Sequence, residues 1–295
     1  MRFRPATKLI LALALVCVPA AAGHPAGVHL HSARWQIDEP WFGGWSGIDI
    51  SADGIEMTVL SDEGVLLRTR VTREDGRIAA IATGEPAHLK SAVGRRLKGP
   101  GADSEGLAIA GDGTIYVSFE GRTRVVRYDR PDSKAHVLPR PPAFREMPRN
   151  GSLESLAIDD RGRLYTMPEE WRDASGAIPV FRWDGREWSV PFTLPPRGRF
   201  VPVGADFGPD GRLYVLERAF NPPLGFQSRL RRWRIDGDRP HDEETLLETA
   251  TGTHDNLEGV AIWRDDRGRL RATMVSDDNF FFLQRTELVE YRLPD

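Results

Sequence analysis

One unit recurs down the chain, and it limits the folds open to it more than any other feature. The copies read SGIDISADGIEMTVLSD from Ser46, EGLAIAGDGTIYVSFE from Glu105, ESLAIDDRGRLYTMPE from Glu154, GADFGPDGRLYVLE from Gly204 and EGVAIWRDDRGRLRATMVSD from Glu258. Each is a short apolar run, an Asp-Gly or Arg-Gly turn, and an alternating β-branched and aromatic run, which is a hairpin signal because Gly supplies the positive φ of the tight turn. A third run follows each hairpin (LLRTRV, RVVRYD, PVFRWD, RLRRWRI, ELVEYRL), and a more polar fourth follows the first four (RIAAIAT, KAHVLPR, EWSVPFT, EETLLET). The turns recur at 49 to 59 residues and helical periodicity is absent. The expected fold is all-β: a β-propeller with one four-stranded antiparallel blade per unit.

The last unit ends one strand short, and the segment ARWQIDEPW before the first is the expected source of a closing N-terminal strand. Five blades are the economical count; a sixth would need residues 85–103 to be a degenerate blade instead of a loop or lid. The opening MRFRPATKLILALALVCVPAAAG reads as a secretory signal: basic start, apolar run from Leu9 to Val18, small residues to a cut after Ala22. The expected organisation is residues 1–22 signal, 23–33 a flexible N-terminus, and 34–295 a single propeller. The mature chain is then periplasmic or secreted, with no membrane span and monomeric. Removing residues 1–22 takes away Arg2, Arg4 and Lys8 and no acid, so the formal charge moves from −3 to −6, a balance that does not suit nucleic acid. The single cysteine, Cys17, leaves with the signal, so neither a disulfide nor thiol chemistry is expected.

In a propeller the first strand of a blade lines the channel and the second returns antiparallel, so the start of one and the end of the other share a mouth. Glu105 and Glu120 therefore meet there. The expected equivalents are Ser46 and Asp62, Glu154 and Glu169, Asp206 and Glu217, and Glu258 and Asp277. Converging carboxylates need a cation or hydrogen bonds to compensate them. Oxygen donors without Cys or clustered His suit Ca²⁺ or Mg²⁺. The candidate ligands are Glu105, Glu154, Asp206 and Glu258, with Asn150 and Asn256 as neutral oxygens. The competing reading makes each Glu a repeated packing device that accepts from backbone N–H groups of the next blade. Arg122, Arg218 and Arg285 follow the second strands and suit the anionic part of a substrate. His254, in GTHDNLEG, is the candidate general base on a metal-held water. There is no G-x-S-x-G elbow and no phosphate or dinucleotide loop.

The strings DSEGLAI, YVSFEG, GADFGPDGRLYVLER, DNLEGVA and SDDNFFFLQRT resemble the bacterial phytase-like family called "esterase-like activity of phytase". The resemblance runs from about Trp45 to the end and implies a propeller that hydrolyses small ester or phosphoester substrates. More distantly, Glu-Gly at the head of an inner strand is similar to the gluconolactonase and regucalcin propellers. That likeness implies one divalent ion, calcium above all, held by a Glu, Asn and Asp set for which Glu105, Asn150, Asn256 and Asp206 stand here. The reading that follows is a metal-dependent hydrolase with Glu105, Glu258 and His254 in catalysis. The alternative is a non-catalytic propeller that binds a ligand or protein partner at the same mouth.

Overall fold

A computed structural model describes residues 27–295, so the signal segment and its cleavage after Ala22 lie outside the described residues. Gly-containing turns fold the repeat into hairpins as the sequence requires: Gly54, Gly113, Gly162, Gly211 and Gly268 all have positive φ. The N-terminal strand β1 (Val28–Arg34) comes first, and the chain then builds blade by blade. Blade 1 is β2 (Trp45–Ile50), β3 (Glu56–Ser61), β4 (Val65–Glu74) and β5 (Arg77–Thr83), with the two-residue β6 (Ala87–His88) also on β4. Blade 2 is β7 (Ser104–Ile109), β8 (Ile115–Phe119), β9 (Arg124–Tyr128) and β10 (His136–Val137). Blade 3 follows the short helix α1 (Ala143–Glu146) with β11 (Leu153–Ile158), β12 (Leu164–Pro168), β13 (Ile178–Trp183) and β14 (Trp188–Leu194). Blade 4 is β15 (Val201–Phe207), β16 (Arg212–Asn221), β17 (Gly225–Asp236) and β18 (Arg239–Glu248). Blade 5 is β19 (Asn256–Arg264), β20 (Leu270–Asp277) and β21 (Glu287–Arg292), completed by β1.

The core lies between blades, and its distribution proves the ring. One apolar cluster joins blades 1 and 2 around Leu60, Leu107 and Phe119; another joins blades 2 and 3 around Val125, Leu156 and Phe181. Tyr165 and Trp233 sit between blades 3 and 4, and Leu216 and Met274 between blades 4 and 5. The last cluster, with Trp45, Ile48, Val275 and Leu288, packs blade 5 on blade 1 and closes the circle. Apolar residues on both faces of each sheet thus have a partner, which is why five copies are stable where one is not.

Closure does use an N-terminal strand, but not the expected one. Val28–Arg34 pairs antiparallel with β21, so most of the segment expected to be flexible is ordered, while ARWQIDEPW contributes little strand. Trp35, Trp41 and Phe42 go instead to the apolar cluster between blades 5 and 1. A half-exposed edge strand needs only weak alternation, and that is what VHLHSAR carries. Residues 85–103 form β6, an isolated bridge and a 3₁₀ turn at Gly99–Gly101, so they are a loop rather than a sixth blade.

The glycine after the first Glu of the repeat has a steric cause. Inner strands converge towards the axis, and a Cβ on Gly106 would lie 2.6 Å from the backbone nitrogen of Leu156 in the next blade. At Gly204 a Cβ would run into the carbonyl oxygen of Glu258. Gly204→Ala is therefore expected to lower stability by about 1–3 kcal/mol, the usual range for overpacking, as read from urea unfolding; no loss would mean that these strands are not in contact.

Candidate metal and substrate site at the channel mouth

Each inner strand carries a β-bulge at its first turn. The register against the second strand slips at Ser46, Glu105, Glu154, Val203 and Glu258, so these are the equivalent residues of the five blades. A bulge re-aims its side chain, and here it places Glu105, Glu154 and Glu258 at one mouth of the channel. The matching residues on the second-strand side are Asp62, Glu120 and Glu169, just past their strands, Arg218 within β16 and Asp277 at the end of β20. Asp62, Glu120 and Glu169 donate their backbone N–H to the carbonyls of Gly44, Asp103 and Ser152, which fixes that tier against the inner strands.

The charges show that these groups share one space. Glu105 is buried, and its carboxyl is pushed well above the usual range by burial first, then by Glu258, Glu120, Asp103 and Asp62. Glu154 is raised in the same way by burial and by Glu105, Glu169, Glu120 and Glu258. Burial, with Glu258, Glu63 and Asp103, raises Asp62 to about 7. Asp277 is raised by burial and by Glu258, and Glu258 itself rises less because Arg218 and Asn256 oppose its burial.

Compensation is uneven across the mouth. On the side of blades 3 to 5, Arg218 donates to Glu169 Oε1 at 2.6 Å, to Asn256 Oδ1 at 2.7 Å and to Glu258 Oε1. Asn256 Nδ2 adds a bond of 2.8 Å to the same Glu258 oxygen. Against the opposing cost of burial, Glu258, Glu169 and Glu154 hold the Arg218 guanidinium ionised beyond its normal range. On the side of blade 2, Asp103, Glu105 and Glu120 bring one oxygen each to within 4.8 Å of one another. Backbone groups orient two of them: Gly121 N–H donates to Asp103 Oδ2 at 3.0 Å, and the N–H groups of Gly151 and Ser152 donate to Glu120 Oε1. None of the three forms an ion pair among the described residues.

The structure therefore brings together Glu105, Glu154, Glu258, Asn256 and Arg218 from the expected set, and separates the rest. Asp206 lies three residues past the bulge, deeper in the channel, where its Oδ2 accepts from Ile262 N–H of blade 5 at 2.6 Å. It is the packing device, and Asp49 repeats it against Ile109. Glu217 faces away and pairs with buried Arg229 and Arg231; Arg218 takes the position at the mouth. Asn150 is exposed, and Ser152 holds the register position of Asn256. His254 turns from the carboxylates, its Nε2 2.7 Å from the Tyr291 hydroxyl and its ring beside His29. Arg122 is exposed just outside the mouth, and Arg285 pairs with Glu287. Asp103 is the residue the sequence reading passed over. It stands two residues before Glu105, as Asn256 stands two before Glu258, and that shared offset is the signal for it.

Asp49 gives a pH test of the deeper tier. It is half-buried in the channel, and burial raises its carboxyl from 3.8 to about 6 in spite of the Ile109 N–H. Because the folded value exceeds the unfolded one, this contribution to stability is complete below pH 4 and is lost as pH rises through 6. Asp49→Asn removes that loss, so the variant should match the parent near pH 4 and exceed it by at most about 3 kcal/mol at pH 7.5, less where channel water screens the charge. Unfolding curves at the two pH values check this; a constant difference would contradict it.

No helix among the described residues is long and apolar enough to cross a membrane. Among solved structures, an α-L-arabinofuranosidase from Podospora anserina is similar with a TM-score of 0.55 and 11% identity, over 92% of this chain and 97% of that chain. A gluconolactonase from Xanthomonas campestris gives 0.49 and 18%, over 94% of this chain and 100% of that chain. At such identities the first likeness speaks for the propeller fold alone. A comparison with curated proteins gives no match. The family model "Phytase-like: Esterase-like activity of phytase" matches residues 40–280, which is most of the propeller, and the chain belongs to this family.

Proposed function

We propose that this chain is an exported hydrolase of small ester or phosphoester substrates that works with a divalent cation, calcium, at the acidic mouth. The observation that carries the reading is the Asp103, Glu105 and Glu120 cluster, with oxygens within 4.8 Å of one another and no ion pair to any of the three among the described residues. The donor set fits the ion: all are hard oxygens, and backbone N–H groups already orient Asp103 and Glu120. A bound ion of this kind polarises a carbonyl or phosphoryl oxygen and acidifies water.

The chain's own residues supply the rest. At Glu258 burial raises the carboxyl while Arg218 and Asn256 oppose that rise, which suits it to take a proton from water on Oε2, since Oε1 is occupied. Glu154, its proton affinity raised by burial and by the acids around it, is the group suited to give a proton to the departing oxygen. Two carboxyls with environments that push their affinities for protons apart form an acid and base pair. His254 has no part in this, because Tyr291 holds its Nε2.

The experiment is hydrolysis of aryl esters and aryl phosphates with and without chelator. Glu258→Gln should lower kcat by about 100-fold or more, within the range for a general base, with melting temperature retained. Activity indifferent to chelator and unchanged in Glu105→Gln and Glu258→Gln would defeat the reading, and tight ligand binding without turnover would select a binding propeller instead.

A further inference from the structure

Beside the acidic mouth lies a cleft of the opposite charge. The β8–β9 turn and the loop that carries α1 enclose a cavity of about 440 Å³ whose walls are Arg122, Arg140, Arg145 and Arg149, over the buried Phe144 and Met147. No carboxylate lines it, and none of the four arginines forms an ion pair or a side-chain hydrogen bond among the described residues. A second hollow, about 300 Å³, shares Arg122 and Arg140 as its border and is otherwise lined mainly by Leu97, Val126, Tyr128, Ala135 and Val137.

Crowded guanidinium groups without partners repel one another, and this chain fixes a fifth next to them. Arg124 stacks 3.7 Å over the Phe119 ring and donates to Gly101 O at 2.6 Å. Burial brings its proton affinity down to about 10, and Arg122 and Arg140 add to the fall in spite of Tyr128 and Asp103. Among the described residues no carboxylate lines the arginine cleft to balance these charges. Planar guanidinium forks satisfy an oxyanion with paired N–H donors, and exposed arginines around a concave wall are placed to do so.

We propose that this double cleft binds an amphipathic oxyanion, its phosphate or carboxylate group held by Arg122, Arg140, Arg145 and Arg149 and its aromatic or short aliphatic body in the adjoining apolar hollow. The binding site stands on the arginines and the two cavities; only its use as a substrate subsite rests on the hydrolase reading. The Glu120–Thr123 turn is the shared wall, since Gly121 lines the cleft while its N–H bonds Asp103 of the acidic cluster. A substrate anion that the carboxylates would repel has a foothold one turn away.

Calorimetric titration of the chelated full chain with inorganic phosphate and with phenyl phosphate tests this. Phenyl phosphate is expected to bind about tenfold tighter than phosphate, the gain from burying an aromatic body. The double variant Arg140→Gln, Arg145→Gln should weaken both by about tenfold or more; both residues are exposed, so the melting temperature should hold. Val137→Gln should reduce phenyl phosphate alone, and Glu105→Gln should leave both intact. Absence of binding, equal affinities for the two probes, or binding unaffected by the arginine variant would overturn the proposal, as would loss of binding in Glu105→Gln. Binding as described without turnover would leave this site standing and remove only the hydrolase reading.

Discussion

Arg218→Gln is expected to destabilise the chelated protein by about 3–5 kcal/mol at pH 7.5, the usual result of removing one partner from a buried ion pair. Among the described residues Arg218 is the one cationic side chain bonded to the carboxylates of the mouth, and it serves Glu169, Asn256 and Glu258 with separate N–H groups. Its loss leaves Glu258 beside Glu154 without its main opposing charge, where burial already favours protonation. The deficit should shrink at pH 5, because protonated carboxyls no longer need the guanidinium. Arg218→Lys should fall in between, since one ammonium cannot reach all three partners in the plane of the fork. Urea unfolding of the three proteins at both pH values measures this. A loss below about 1 kcal/mol would place Arg218 among exposed pairs of little consequence and contradict the geometry described.

Glu105→Gln should have the opposite signature: about 100-fold weaker divalent-cation binding, or about 2.7 kcal/mol, with no loss of stability in the chelated state. Glu105 and Glu120 are the buried members of the cluster with Asp103, and the Glu105 carboxyl is raised well above normal by burial and by the surrounding acids. Since the folded affinity for a proton exceeds the unfolded one, the carboxyl detracts from stability as pH rises through its raised value. An amide of the same shape removes that cost together with a ligand oxygen. A residue whose role was packing would instead lose stability in the chelated protein while cation binding stayed the same. Calcium titration and melting of the same preparation separate the two outcomes.

The blades were legible because turn glycines and period-two runs act locally. The hairpin from Glu105 to Glu120 needs nothing from the rest of the chain to declare itself, and the same holds for the Glu154 and Glu258 copies. Blade 4 misled because its bulge position is Val203, so an alignment on acids moves to Asp206 and pairs it with Glu217. A strand has a side-chain period of two, and a slip of one residue exchanges its faces. Glu217 therefore sits with Arg229 and Arg231 between blades, and Arg218 enters the mouth. The closing strand was misplaced for a related reason: Val28–Arg34 is an edge with few buried residues, and its order comes from β21, not from its own pattern. His254 and Asn150 lay near the right sequence positions, but direction relative to the axis is set by the register of neighbouring strands, which a linear motif does not record.

Calcium titration of the chelated protein, read by both calorimetry and melting temperature, tests the central claim most directly. The account predicts saturable binding that raises the melting temperature, releases protons below neutral pH, and is lost in Glu105→Gln, as linkage to a site present only in the folded state requires. No binding, or the same upward shift in Glu105→Gln as in the parent, would contradict it.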